Sequence, residues 1–371
     1  MKNRIIYLFA TLTLSCAFVL IPSKAGAQQP PMAPDMTIDS TTRTAVIDIL
    51  LKELNETYVF PETAKKMETD IKARAGANEY DSITSSRAFA EKLTADLQSV
   101  SKDKHLRVRY SYDVLPTRQD RREPTEAEIE QGKWFNKRVN YGFEKIERMN
   151  GNIGYIDLRG FNDEEAGAET VAAAMTFLQN TEALIFDLRQ NGGGNPAMIA
   201  LISSYLFSDK PVHLNDLYWR KENKTDEFWT KPESAKIKFA NRDIYVLTSG
   251  YTFSGAEEFT YNLKNLKRAT VIGETTGGGA HPGSMVRLAD HFGVFVPIGR
   301  AINPISKTNW EGTGVEPDIK VPKERALKTA YLMALNKSVA SLKDENMKKG
   351  VKALAEQTQK ELDELKAQSK K

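Results

Sequence analysis

From Asn152 onward the chain alternates short, nearly continuous apolar runs with longer amphipathic ones, and this constrains the fold more than any other feature. The apolar runs are IGYIDL (153–158), ALIFDL (183–188), IYVLTS (244–249) and ATVIGE (269–274). Helical stretches lie at 166–180, 196–207 and 255–266. Strands that are apolar on both faces must be covered on both faces, which a largely parallel sheet flanked by helices achieves. The pattern predicts an α/β core over 151–322. Within it, 211–239 reads as an insertion holding a hairpin, with Trp219, Phe228 and Trp229.

The flanks read differently. Lys2 and Arg4 precede an apolar run from Ile5 to Ile21, followed by Ala25-Gly26-Ala27, the order of a secretory signal peptide over 1–27. The only cysteine, Cys16, lies inside that run, so the mature chain has no disulfide and no thiolate chemistry. Residues 28–40 are a Pro-rich leader expected to be disordered. Val46, Ile49, Leu50 and Leu54, and then Phe89, Leu93 and Leu97, fall at helical spacing. Asp39 or Ser40 is placed to cap the first of these helices, and Pro61 to open the next. Residues 41–112 are thus expected to form an N-terminal helical bundle ending in the strand HLRVRYSY. Residues 113–150 are a charged connector with a short helix at 125–138. Residues 323–371 are a Lys/Glu/Leu/Ala-rich helical tail, interrupted at Gly350.

Charge narrows the function. The net charge of +3 is carried by Lys2, Arg4 and Lys24; without the first 27 residues, bases and acids balance. A dedicated nucleic-acid partner is therefore not expected. No apolar stretch after residue 30 approaches the roughly 20 residues a spanning helix needs, so no stable membrane insertion is expected once the signal is removed.

Two loops carry candidate chemistry. In TSGYTFSGAEEF (248–259) a strand ends, a glycine-containing turn follows and Ser254 opens a helix. A hydroxyl there is presented at the sheet edge beside free backbone N–H groups. The same serine would also serve as a plain N-cap, and this stretch alone does not choose. In FDLRQNGGGNP (186–196) three glycines between a strand and a helix leave N–H groups unshielded, as an oxyanion or anion site requires. Neither this loop nor GETTGGGAHPG (273–283) fits a dinucleotide or P-loop fingerprint. A serine nucleophile needs a base, and His105, His213, His281 and His291 are all available. No pair has the spacing of a zinc site, so neither metal nor cofactor is expected.

Five ordered motifs together resemble a known group. GYIDLRGF (154–161), DLRQNGGG (187–194), YTFSGAEEF (251–259), GETTGGGAHPG (273–283) and EGTGVEPDIKVP (311–322) resemble the C-terminal processing/tricorn serine peptidases. ETYVFPETAKKM (56–67) is similar to the helical domain of the branch named after interphotoreceptor retinoid-binding protein. The resemblance implies a crotonase-like ββα spiral core, Ser254 as nucleophile, and the N–H groups of Gly193 and Gly255 as oxyanion donors. One subgroup uses a lysine base at the position of Gly279, which this chain lacks, and a PDZ insertion for which Tyr112 to Gly154 is too short. The tricorn-like subgroup uses a D-x-H histidine and a late glutamate, here His105 in Asp103-Lys104-His105 and Glu311. His281 is the rival base and Glu316 the rival acid. The implied function is a periplasmic or secreted peptidase acting on a peptide or protein substrate through a Ser-His-Glu triad. The alternative is a non-catalytic carrier of retinoid- or fatty-acid-like ligands, with Trp219, Phe228 and Trp229 lining a groove.

Overall fold

The N-terminal helix signals act where the sequence places them. In the computed structural model, which describes residues 34–117 and 125–368, Asp39 Oδ1 accepts the Thr42 N–H at 2.7 Å. Pro61 occupies the first turn of the next helix. The expected signal peptide at 1–27 and the leader up to residue 33 lie outside the described residues. In chain order the first elements are α1 (Ser40–Thr57), α2 (Pro61–Gly76), α3 (Ser86–Ser101), β1 (Arg107–Tyr110) and α4 (Glu126–Arg138). They are followed by β2 (Phe143–Met149), β3 (Ile153–Leu158), α5 (Glu164–Leu178), β4 (Ala183–Asp187) and α6 (Pro196–Ser204). Next come β5 (His213–Trp219), β6 (Lys224–Trp229), β7 (Asp243–Thr248), α7 (Gly255–Asn265), β8 (Thr270–Gly273) and β9 (Gly283–Ala289). The last are β10 (Phe292–Pro297), β11 (Gly299–Ile302), β12 (Ile319–Lys320), α8 (Lys323–Ser341) and α9 (Glu345–Gln368).

The expected parallel core is present. Six strands run in the order β12–β8–β7–β4–β3–β2, and every neighbouring pair is parallel except β2 with β3. Alternate residues of the central strands serve two cores. Ile156, Leu158, Leu184, Phe186, Ile244 and Val246 pack under α5, α6 and α7. Tyr155, Ala183, Ile185, Tyr245 and Leu247 pack under the alanine stripe Ala326, Ala330 and Ala334 of α8 and Ala355 of α9. Both faces are covered, which is why the strands read as unbroken apolar runs. The insertion forms the expected hairpin, β5 with β6, joined on its other edge by β11.

Three expectations change. The helices at 41–112 do not close on themselves as a bundle. Their buried faces, including Leu50, Met67, Phe89 and Leu93, share one core with Val108, Leu288, Phe292, Val294 and Val296. That core rests on the antiparallel sheet β1–β10–β9, in which β9 and β10 come from more than 170 positions later in the chain than β1. The end of the leader is ordered by specific contacts. Ile38 is buried, the Ser85 hydroxyl donates to Asp35 at 2.5 Å, and Thr37 bridges Ser85. Gly350 lies inside α9 rather than at a break. The interruption falls at Leu342, after which Asp344 accepts the Met347 N–H at 2.8 Å. A single glycine costs a helix only about 1 kcal/mol relative to alanine, so a nearby cap decides the boundary.

Candidate active site

Three loops leave the C-terminal ends of adjacent parallel strands, the end at which open α/β sheets place their sites. The glycine loop follows β4, the Ser254 turn follows β7, and residues 274–282 follow β8. Backbone bonds knit them together. The Phe253 N–H donates to Asn191 O at 3.1 Å and the Gly277 N–H to Thr252 O at 2.9 Å. The Thr252 hydroxyl donates to Leu188 O at 2.7 Å.

Ser254 caps α7 with φ +55° and ψ −121°, a conformation a non-glycine residue adopts only when its surroundings over-determine it. Strain of that kind costs of order 1–3 kcal/mol and must be offset locally. Buried Glu257 supplies the offset. One carboxylate oxygen accepts the N–H groups of Ser254 and Gly279, each at 2.8 Å. The other accepts the Gly278 N–H at 2.6 Å and the Thr276 hydroxyl at 2.5 Å. Burial still pushes this carboxyl above its ordinary range. Glu257 thereby ties the serine turn to the 276–279 loop. It is visible in the sequence only as a glutamate three residues after a serine, the capping-box spacing.

The glycine loop presses directly on this turn. A Cβ on Gly193 would lie 2.8 Å from the Gly255 nitrogen, and one on Gly255 would lie 2.8 Å from the Gly194 nitrogen. Only glycine permits that approach. The Gly193 N–H, expected to face an oxyanion, donates instead to the side chain of buried Asn191 at 2.8 Å. Asn191 is anchored in turn to Leu158 O at 2.9 Å. Gly194, by contrast, has no hydrogen-bond partner for its N–H among the described residues. It lines a cavity of about 40 Å³ together with Ser254, Gly255, Glu258, Gly279, Ala280, Pro282, Ala301 and Trp310. Gly255 is the first residue of α7, so its N–H also has no intrahelical carbonyl to meet.

His105 stands beside the serine turn. Its ring lies 4.7 Å from that of Phe253 and 5.9 Å from that of Phe295. Its Cε1 would be 2.6 Å from a Cβ on Gly279. A side chain at Gly279 is therefore accommodated only if this imidazole and the Phe253 ring move away. Burial lowers the His105 pKa to about 4, so the ring is neutral at pH 7.

His281 takes a different place. Its Nδ1 lies 2.8 Å from Asp103 Oδ2 and 3.4 Å from Glu311 Oε2. Its ring opens on a cavity of about 320 Å³ with Phe60, Arg300 and Asn309, which Ser254 does not line. Asp103 also accepts the Tyr58 hydroxyl at 3.1 Å and the backbone N–H of His105 at 3.0 Å. Glu311 Oε2 accepts the Ala280 N–H at 2.5 Å, and burial, aided by Asp103, raises its pKa to about 7. Asp103, His281 and Glu311 offer donor atoms within 4.8 Å of one another, the geometry a cation would need. Within the trio His281 Nδ1 bridges the two carboxylates, and the Ala280 N–H holds Glu311 Oε2. Two buried atoms nearby have no partner, His105 Nδ1 and Glu311 Oε1. They belong to the two residues that a triad would join; among the described residues no hydrogen bond links the side chains of Ser254, His105 and Glu311.

The other sequence candidates lie elsewhere. His213 stacks on Trp229 at 4.2 Å and contacts Asp216 at 2.6 Å. His291 contacts Ser111 O at 3.1 Å. Glu316 is exposed. Trp219 and Phe228 pack into a small cluster with Leu217 and Trp310, whereas Trp229 is 41% exposed, so the three aromatics do not line one groove.

A strained serine at a strand-to-helix turn, a glycine loop against it and a half-buried histidine beside it stand together at one end of the sheet. Comparison with known proteins identifies the family. Residues 152–321 match the profile of peptidase family S41, and residues 35–144 match that of the N-terminal domain of peptidase S41 in eukaryotic IRBP. The chain belongs to peptidase family S41. Carboxyl-terminal-processing peptidase 2 of the Arabidopsis thaliana chloroplast is 31% identical over 172 residues, 46% of this chain and 32% of its own length. The tail-specific protease of Haemophilus influenzae is 31% identical over 139 residues, 37% of this chain and 18% of its own. The chain thus spans a third or less of these two relatives. A solved peptidase structure from Parabacteroides merdae covers 81% of this chain and 99% of its own at 19% identity, with a TM-score of 0.58, and shares the fold. Among the described residues, no helix is long and apolar enough to cross a membrane.

Proposed function

We propose that this chain is an exported serine peptidase that hydrolyses peptide bonds through Ser254, His105 and Glu311. The observation that carries the proposal is the strained Ser254 backbone, clamped by Glu257 and lining one cavity with Gly194 and Gly255. A plain N-cap needs no such strain.

In this reading His105 accepts the Ser254 hydroxyl proton as Oγ attacks the scissile carbonyl carbon. The carbonyl π electrons move to oxygen, and the N–H groups of Gly255 and Gly194 stabilise the oxyanion. Gly194 takes the role expected of Gly193, whose N–H is held by Asn191. The tetrahedral intermediate collapses, the C–N bond breaks, and the imidazolium returns its proton to the leaving amine. Water, deprotonated by His105, then hydrolyses the acyl-enzyme. Glu311, carrying the unpaired Oε1, orients His105 and stabilises its cation. His281, held by Asp103, positions Glu311 rather than acting as the base. The crotonase-like spiral belongs to the same reading, supported by the parallel run β3–β4–β7–β8 with a helix between successive strands. Export rests on the basic–apolar–Ala-Gly-Ala order of the first 27 residues.

The test is peptide hydrolysis by the wild type, Ser254→Ala, His105→Ala and His281→Ala. The expected result is loss of nearly all turnover in the first two and partial activity in the third. An inactive His281→Ala beside an active His105→Ala would transfer the base to His281.

A further inference from the structure

The cavity beside His281 is lined by two cations that meet no anion among the described residues. Its volume of about 320 Å³ is at the small end of ligand-binding pockets. Arg300 lines it from β11, and Lys307 and Thr308 from the loop that follows. The Arg300 guanidinium lies over the Phe60 ring at 5.7 Å and over the Tyr218 ring at 5.3 Å, so two aromatic faces restrain it. No hydrogen bond or ion pair reaches that guanidinium among the described residues, and its Nε is sealed from solvent without a partner.

Other part-buried arginines of this chain are used differently. Arg220 donates to Tyr58 O and Asn55 O, and Arg268 to Leu206 O and Phe239 O, at 2.5 to 3.3 Å. Those side chains pin backbone. Arg300 pins none, and its Nη ends, unlike its Nε, are not sealed. A guanidinium held in this way presents a planar fork that matches a carboxylate or a phosphate. His281 gives its Nδ1 to Asp103 at 2.8 Å, which leaves Nε2 as the polar atom for the cavity that its ring lines. Glu311, the acid among the lining residues, does not neutralise Arg300. Its Oε2 accepts the Ala280 N–H and its Oε1 is sealed.

We propose that this cavity binds an anion, a carboxylate or a phosphate, between the Arg300 guanidinium, the His281 ring and the Lys307 ammonium. Such a ligand supplies the negative charge that the protein does not. Two sources offer that chemistry. One is a free anion from solution. The other is an acidic side chain of a bound peptide, because the Ser254 cavity shares Ala301 with this one and is lined by Ala280 and Trp310, the sequence neighbours of His281 and Glu311. The site stands on its own side chains and does not require Ser254 to be the nucleophile.

The test uses the full purified chain at low ionic strength, where a charged site is least screened. The sequence has four histidines, few enough to resolve their ring signals by NMR and to assign His281 from a His281→Ala spectrum. Inorganic phosphate should shift the His281 signal saturably, and sodium chloride of equal ionic strength should not. Arg300→Gln should weaken phosphate binding about tenfold or more, as loss of a hydrogen bond to a charged group does. Arg300→Lys, which keeps the charge without the fork, should fall between that variant and the wild type. Lys307→Ala, at an exposed position, should cost about threefold. Peptides carrying Glu or Gln at successive positions around the cleaved bond separate the sources. A peptide source gives Glu about tenfold higher kcat/KM at one position, a gain lost in Arg300→Gln. A free-anion source gives the phosphate shift without that preference. No phosphate shift together with no Arg300-dependent preference for Glu overturns the inference. So does a folded Arg300→Gln or Arg300→Lys protein that binds phosphate as tightly as the wild type. A chain that cleaves no peptide removes the peptidase reading alone, since the phosphate titration needs no turnover.

Discussion

Gly279→Ala is the smallest change that separates His105 from the chemistry. The backbone at 279 is not left-handed, so alanine is tolerated locally, yet its Cβ would lie 2.3 Å from Phe253 Cζ and 2.6 Å from His105 Cε1. Ordinary carbon–carbon contact is about 3.5–4.0 Å, so both rings must retreat by about an ångström. Overpacking of this kind costs about 1–3 kcal/mol of stability, which leaves a folded protein. Misplacing a catalytic group by an ångström costs on the order of 10²-fold in rate. Steady-state hydrolysis of one peptide should therefore show kcat reduced about 100-fold, with KM changed little, while near-UV circular dichroism remains native. Gly250→Ala is the control, since a Cβ there meets nothing within 4 Å. A Gly279→Ala enzyme with wild-type kcat would show that the imidazole beside Gly279 is not the base.

Ser254→Ala and His105→Ala act on one step, so the double variant should be little slower than either single one, as rate measurements will show. Glu311→Gln should lower kcat by about 10² to 10⁴, the upper figure being that of the Asp→Asn change in the serine-protease triad. A pH profile of kcat/KM should lose its acid limb near pH 7 in that variant, because burial puts the Glu311 titration there. Glu258 binds its proton more tightly folded than unfolded, so its contribution to stability is full below about pH 4.5 and lost as pH rises through about 8. Unfolding free energies from urea titrations in a Ser254→Ala background should fall over that window by up to about 5 kcal/mol, and Glu258→Gln should flatten the fall. Asn191→Ala, which frees the Gly193 N–H, should lower kcat about tenfold or more by loosening the glycine loop.

The parallel core was readable because each central strand is apolar on both faces, a pattern few other structures produce. Strands β9 and β10 were not, since Met285, Val286 and Leu288 alternate irregularly with Ser284 and Arg287 and the third strand of their sheet, β1, lies far away in the chain. For the same reason α1–α3 looked like a bundle: a helix face records that it is buried, not what covers it. Ser254 and the glycine loop were legible as motifs, but which of Gly193 and Gly194 has its N–H tied up was not. It turns on the side-chain contact from Asn191, and adjacent glycines carry no signal of their own. Glu257 and Glu258 read as an ordinary acidic first turn of a helix. That one clamps the serine backbone and the other floors the cavity depends on the helix facing inward, with both side chains buried.

The central claim is that Ser254 is an activated nucleophile. Incubating the purified protein with a fluorophosphonate and mapping the adduct by mass spectrometry addresses it directly. The account predicts one stoichiometric adduct on Ser254, formed far more slowly in His105→Ala and absent in Ser254→Ala. A folded wild-type protein that takes up no probe, or carries it on another serine, contradicts it.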